Sequence, residues 1–281
     1  MDLEMTTNSR VGEVRGSWQR AFTRLDLCSV CAALVMLLGL AGLNFTGEGG
    51  RVTRCAWNLK RLGRAVTDYA GDHDGGLPPA SIEPSQATWD SLITPYLCPE
   101  LAATKSAYTR RVLQDAVALR LLCPSDSLAR ESPRTYAMSG HDMRPENWPP
   151  GPDNATGVGL AWSQQRVETW LGSGALEQAK TNSQMLALVK LSWLPDPAGT
   201  LLLTEVVRSD NTLGNPATAA VGGARRQLEL FTGDQRRFHH GCFNYLMADG
   251  HVELLSPFQP GMAGGYKADR PAGIWTIKAG D

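Results

Sequence analysis

His239, His240, Asp249 and His251 fall within thirteen residues near the end of the chain. Imidazole nitrogens and a carboxylate are ligands for zinc or another transition metal, and three of them around an open position would activate water for hydrolysis. A hairpin would bring His239, Asp249 and His251 together, although their spacing matches no established zinc pattern. The plainer alternative places Asp249 in a turn, lets His239 bond the loop entering the hairpin, and leaves His251 exposed on a strand. Asp72 and Asp74, in Asp-His-Asp-Gly-Gly, offer oxygen ligands and a glycine turn for Ca2+, but the closing Glu of a calcium loop is missing. Asp126 could join Cys98 as a ligand pair, although a Cys98–Cys123 disulfide accounts for both cysteines with fewer assumptions. Nucleophilic catalysis has no motif: there is no Gly-x-Ser-x-Gly elbow and no phosphate-cradling glycine loop. The eight Trp residues, scattered from Trp18 to Trp275, give no sugar-stacking platform. The chain therefore reads as non-enzymatic, with no catalytic residue and no obligatory cofactor.

The elements that position these residues follow from composition and periodicity. The chain has 281 residues, enough for one domain of about 200 residues plus an N-terminal segment. Lys+Arg 27 against Asp+Glu 28 leaves a net charge of -1, so no global field gathers nucleic acid. Gly 29 and Pro 17, set between short apolar runs, suit a loop-rich antiparallel or α+β domain. Of six cysteines, Cys28 and Cys31 lie in an apolar run and Cys55, Cys98, Cys123 and Cys242 follow it. An exported body would expose those four to oxidation. The matching contexts Tyr-Leu-Cys-Pro-Glu and Leu-Leu-Cys-Pro-Ser make Cys98 and Cys123 the first expected pair.

Leu27 to Phe45 are nineteen uncharged residues, at the lower end of what a bilayer-spanning helix of about 20 residues requires. A transmembrane helix is expected over residues 22–46. Basic residues flank it on both sides, so the positive-inside rule gives no orientation. Asn44 to Gly50, with three glycines, interrupts the helix. Beyond it Val52, Cys55, Leu59, Leu62, Val66 and Tyr69 recur at spacings of three and four, the stripe of an amphipathic helix over 51–72.

Phe243 to Ala248 and His251 to Leu255 flank Asp249-Gly250, which predicts an antiparallel hairpin with a two-residue turn, one face of it covered by the amphipathic helix. Thr200 to Val207 is a continuous apolar run suited to a central strand, and Arg134 to Met138 is a second strand. Ala87 to Leu97 predicts a helix stopping before Pro95, Leu101 to Leu122 one helix with Tyr108, Val112, Asp115 and Leu119 along it, and Gln164 to Leu171 and Ser183 to Leu191 short helices. His141 to Gly159 predicts a long surface loop.

Two sets of residues carry a family resemblance. Ala21-Phe22-Thr-Arg-Leu-Asp26 before an apolar run resembles a degenerate type IV prepilin signal, in which Gly usually precedes the cut and Glu is the acid. The blocks RCAWNLKRLGRAVTDYAGDHDGGLPP, LLCPSD with TYAM, and TLLLTEV are similar, in order, to those of pseudopilin-like proteins of planctomycetes and verrucomicrobia. The same holds for His239 followed after nine residues by Asp249-Gly250, the His-x9-Asp-Gly C-terminal signature of that group.

This resemblance implies a pilin-like α+β fold: a long N-terminal transmembrane and amphipathic helix packed on a small antiparallel β-sheet with loop-rich insertions. It implies a cytoplasmic leader over 1–21, cleavage between Ala21 and Phe22 by prepilin peptidase, and methylation at the new terminus. Asp26 would pair with the terminal ammonium of an adjacent subunit. Residues 73–281 would form an exported domain, with the hairpin at 242–255, on a single-pass inner-membrane protein of a type II secretion-like or pilus-like filament. Its partners would be membrane lipid and other pseudopilin subunits. The rival expectation is a membrane-tethered metal- or ligand-binding module, or a hydrolase, centred on His239, Asp249 and His251.

Overall fold

The computed structural model describes residues 26–36, 47–141, 151, 156–181, 186, 189–259 and 273–277. The chain forms two compact units, Met1–Phe45 and Thr46–Asp281.

In the first unit the described residues form one helix, α1 (26–36), on which Leu27, Leu34, Val35 and Met36 are exposed. Among the described residues no helix is long and apolar enough to cross a membrane. The expected transmembrane helix over 22–46 is corrected accordingly, and with it the single-pass inner-membrane placement that rested on it. Ala21, Phe22 and residues 37–46 lie outside the described residues. Asp26 is the first described residue of α1, and its carbonyl accepts a hydrogen bond from Ser29 Oγ at 2.8 Å.

The second unit is α+β with two mixed sheets, in place of the single small antiparallel sheet expected. Helix α2 (Glu48–Asp72) begins with an acid in its first turn, favourable beside the positive end of the helix dipole. It buries Cys55, Leu59, Leu62, Val66 and Tyr69 of the stripe read from the spacing, while Val52 at its start is half-buried. The chain leaves it through a left-handed turn, Asp74 at φ 52 and Gly75 at φ 76, with the Gly75 N–H on the Ala70 carbonyl at 2.9 Å. A small sheet of β1 (Ser81–Ile82), β2 (Ala87–Thr88) and β4 (Ala161–Trp162) follows, β1 antiparallel to β2 and parallel to β4.

Helix α3 (Trp89–Leu97) runs through Pro95, where a stop was expected. Pro95 stands in the last turn, so the missing N–H removes a single intrahelical bond near the end of a short helix. The expected helix 101–122 is two: α4 (Glu100–Ala103) and α5 (Ala107–Arg120), the latter capped by Ser106, whose Oγ accepts from Thr109 N–H at 3.3 Å. Its anticipated stripe faces outward, Tyr108 80% and Leu119 68% exposed, while Val117 packs inward. Periodicity identifies a stripe but not whether a domain or solvent lies against it.

The main sheet has the order β6-β3-β5-β7-β8, formed by β3 (Tyr136–Ser139), β5 (Leu201–Glu205), β6 (Ala220–Val221), β7 (Phe243–Met247) and β8 (Val252–Leu255). All its pairings are antiparallel except β3 with β6. The apolar β5 takes the central position. Every residue of β7 is buried, because both faces of the sheet are covered. On one face α2 approaches so closely that a Cβ on Gly63 would lie 3.0 Å from Leu246 Cδ2. On the other, the Tyr245 hydroxyl donates to Gln227 Oε1 at 2.9 Å from helix α8 (Ala224–Leu230), and Tyr245 meets Trp275 edge-on. The remaining helices, α6 (Gln164–Leu171) and α7 (Ser173–Thr181), lie between β4 and β5 in the sequence. Leu191 forms a 3-10 turn with Trp193, and most of 142–155 and of 182–188 lies outside the described residues.

The β7–β8 hairpin closes with a three-residue loop instead of the two-residue turn expected. Leu246 pairs with Val252, Gly250 N–H donates to the Met247 carbonyl at 3.0 Å, and only Gly250 of the Asp-Gly pair has positive φ, at 93°. That is the type I turn with a glycine bulge that suits a three-residue loop.

A buried ion pair pins α3 to the loop after β5. Arg134, fully buried, pairs with Asp90, donates from Nε to Asn211 Oδ1 at 2.9 Å, and from the other nitrogen to the Asn215 carbonyl and Thr218 Oγ1, both at 3.0 Å. The second carboxylate oxygen of Asp90 accepts the Gly214 N–H at 3.0 Å.

Candidate metal centre

Four chain segments distant in sequence deliver ligand-type side chains to one point. Cys55 stands on the buried stripe of α2, two turns after Glu48 and so on the same side of the helix. Cys123 follows α5, its N–H held by Thr135 Oγ1 at 3.0 Å. Glu205 ends β5, a carboxylate closing a central strand that opens with three leucines. His239 sits in the tight Phe238–Gly241 turn before β7, where His239, His240 and Gly241 all have positive φ, at 46°, 58° and 85°. Two successive non-glycine residues in that region are held there against their own preference by the surrounding structure.

The ligand atoms of Cys55, Cys123, Glu205 and His239 all lie within 4.8 Å of one another, and all four residues are buried. His239 Nε2 is 2.9 Å from Glu205 Oε1 and 3.3 Å from Cys123 Sγ. The Cys55 thiol donates to Glu205 Oε1 and lies 3.0 Å from the Tyr136 hydroxyl. Zinc ligation at about 2.0–2.3 Å places tetrahedral neighbours roughly 3.3–3.8 Å apart, so four atoms that all lie within 4.8 Å of one another could hold such an ion.

Each inward-facing group is oriented from behind. The other imidazole nitrogen of His239 meets Glu48 Oε1 at 2.9 Å, and that oxygen also accepts from Ser125 Oγ at 2.5 Å and from the His239 N–H at 3.3 Å. Glu205 Oε2 accepts the Asn244 N–H at 2.7 Å. A carboxylate behind an imidazole is the usual outer support of a metal-bound histidine, fixing tautomer and ring orientation.

The electrostatics describe a buried, acid-rich hole. Burial opposes charge on His239, but hydrogen bonds to Cys123 and Glu205 and the Glu205 charge outweigh it, so the imidazole pKa rises to about 11. Burial, the adjacent Cys123 and the charge of Glu205 push the Cys55 thiol well above its ordinary value. Burial and the charges of Cys55, Cys123 and Glu205 do the same to the Tyr136 phenol. Glu48 stays below the usual carboxylate range: burial works against the anion, but the bonds from Ser125 and His239 prevail. An imidazolium lodged between two carboxylates is what this arrangement holds when it carries protons. A divalent cation would take the same place by displacing the His239 proton and both thiol protons.

Of the residues singled out from sequence, His239 belongs to this cluster, whereas Asp249 and His251 pair with each other on the exposed hairpin loop. His251 Nδ1 lies 2.6 Å from Asp249 Oδ1, and Nε2 is 3.2 Å from Glu253 Oε1. Partial burial works against the His251 cation, but Asp249 and Glu253 raise its pKa overall. Stability from this pair is therefore complete between the ordinary carboxylate and histidine values of about 3.9 and 6.5, fades as pH rises through the raised His251 value, and is lost as pH falls through the lowered Asp249 value. In an NMR titration Asp249→Asn should move the His251 midpoint back toward about 6.5; an unmoved midpoint would contradict the pairing.

Cys98 and Cys123 are both free thiols, so the expected disulfide is corrected: Cys98 Sγ lies 3.4 Å from Glu100 Oε2 while Cys123 turns to His239. Asp126, considered as a partner of Cys98, is buried against Arg130 and accepts from Thr135 Oγ1 at 2.6 Å. Asp72 accepts from the Tyr96 hydroxyl at 2.9 Å, and Asp74 forms the turn after α2.

The buried Cys/Glu/His cluster could hold a metal. Its sulfur content favours zinc or another thiolate-binding transition metal over Ca2+ or Mg2+, which prefer oxygen. Comparison of the chain with protein-family models, curated proteins and solved structures finds no match. The pseudopilin resemblance thus stands on its sequence blocks alone.

Proposed function

We propose that the unit Thr46–Asp281 is a metal-stapled, non-catalytic module whose Cys55, Cys123, Glu205 and His239 bind one zinc-class ion. The observation that carries this reading is the convergence of four ligand atoms within 4.8 Å, all buried, with Glu48 behind the imidazole. Four protein ligands complete a tetrahedral shell, and a shell closed to solvent leaves no position for a substrate or an activated water, as in structural zinc sites. The ion would tie α2 to the segment after α5, to the central strand and to the turn before β7, the contacts on which the helix-on-sheet packing depends.

Cobalt(II) substitution tests this. The full-length chain, loaded with Co2+ in place of zinc, should show tetrahedral visible absorption and thiolate-to-cobalt charge transfer, both lost in Cys55→Ser. A weak octahedral spectrum unaffected by that substitution would overturn the reading.

A second reading makes the chain a structural subunit that assembles with like chains through its front helix. The exposed Leu27, Leu34, Val35 and Met36 on α1 favour it. Chemical crosslinking should then capture oligomers that vanish when Leu34 and Val35 are replaced by Ser; monomers alone would dismiss it.

A further inference from the structure

The two sulfurs of the cluster have a second chemistry besides ligation. Cys55 Sγ and Cys123 Sγ are held within 4.8 Å of each other, on segments 68 residues apart. A disulfide needs about 2.05 Å, a closure of roughly 2–3 Å that side-chain rotation supplies when backbone positions allow it. Both cysteines are buried, and Ser125 stands between Cys123 and the nearest cleft. This cleft of about 390 Å3, lined by Glu48, Arg51, Ser125, Ser127, Thr232 and Arg237, opens beside the centre. Ser125, in the wall of that cleft, directs its N–H to Cys123 Sγ at 3.5 Å and its hydroxyl to Glu48.

We propose that Cys55 and Cys123 are a thiol-modification site: they close a disulfide on each other when treated with a low-molecular-weight disulfide, and this bond and the bound metal exclude one another. The exclusion half rests on the metal reading above; the pairing half does not. Cys123, which accepts the N–H of the cleft residue Ser125, attacks one sulfur of the reagent RSSR, forming Cys123–S–SR and releasing RS−. Cys55 then attacks the Cys123 sulfur, forming the Cys55–Cys123 bond and releasing the second RS−. Two electrons pass from the cysteines to RSSR, and the two thiol protons end on two RSH. Both states crosslink the same two segments, α2 and the stretch after α5. Oxidation would therefore change the metal content while the helix stays fastened to the body.

The test starts from the full-length, zinc-loaded chain and uses glutathione disulfide as the probe, with a zinc-sensitive dye and non-reducing peptide mapping read together. Expected are a Cys55–Cys123 crosslinked peptide, zinc release at the rate at which that peptide accumulates, and unchanged behaviour in Cys98→Ser and Cys242→Ser. Free zinc at about a hundred times its Kd should slow crosslinking about a hundredfold, because about one site in a hundred is then vacant. Zinc retained under excess oxidant, or crosslinks at cysteines other than this pair, would overturn the proposal. Should the chain hold no zinc at all, the metal reading fails by itself. The reduced chain then decides the pairing, which stands if the Cys55–Cys123 peptide forms and falls if it does not.

Discussion

His239→Ala should abolish the metal binding proposed for this cluster and lower the unfolding free energy by about 3–5 kcal/mol, the range for removing one partner of a buried charge cluster. The imidazole is fully buried and lies between Glu205 and Glu48, each within 2.9 Å of one of its ring nitrogens. Truncating it leaves two carboxylates facing a hole with their shared donor gone, and one of four ligands missing. Glu205→Gln separates the causes. It keeps the side-chain volume and an oxygen that can accept the Asn244 N–H, yet removes the charge and weakens ligation. It should lose metal while costing less stability than His239→Ala in metal-free protein. Urea denaturation with and without chelator reads both; wild-type stability and metal content in His239→Ala would refute the assignment.

Arg134→Met should cost a similar amount, about 3–5 kcal/mol, by leaving Asp90 charged in an apolar setting. The guanidinium gives hydrogen bonds to Asp90, Asn211, Asn215 and Thr218, so its loss also leaves several acceptors bare. Burial acts against its charge, and Asp90 restores part of what burial takes away. The pair itself need not add net stability, since two desolvated ions are costly to bury even when matched. The double variant Arg134→Met, Asp90→Leu should therefore be more stable than Arg134→Met alone, a coupling that a double-mutant cycle in urea measures directly. Strictly additive losses would show that the two residues do not depend on each other.

How much of this could be read from the sequence varied with the physics of each element. The stripe from Cys55 to Tyr69 was legible because a core-facing helix repeats its apolar residues at three and four, and α2 buries them. The central strand was legible because Leu201 to Leu203 are uninterrupted aliphatics. The same periodicity misled at α5, where Tyr108 and Leu119 mark an outward face, and apolarity alone misled at the front of the chain, since among the described residues no helix is long and apolar enough to cross a membrane.

Within the centre, the sequence marks His239 by its histidine-rich context, and Cys55 and Cys123 only as cysteines. Matching Cys-Pro contexts pointed Cys123 to Cys98, whereas the fold turns it to His239. Glu205 and Glu48 were missed. A carboxylate that ends a buried aliphatic run is out of place unless something positive meets it, and that signal was present at Glu205. Glu48 gave none beyond its place in a first helical turn, because its role depends on a turn 191 residues later.

Metal stoichiometry is the direct test of a stapled centre. Full-length protein, purified without added metal or chelator and measured by inductively coupled plasma mass spectrometry, should carry close to one zinc-class ion per chain. Cys55→Ser and His239→Ala should carry none, and Glu48→Gln, which loses only the support behind the imidazole, should bind about 10- to 100-fold more weakly. A wild-type chain that holds no transition metal, and takes up none when zinc is supplied, would mean that these side chains form a proton-filled network and that the metal assignment is wrong.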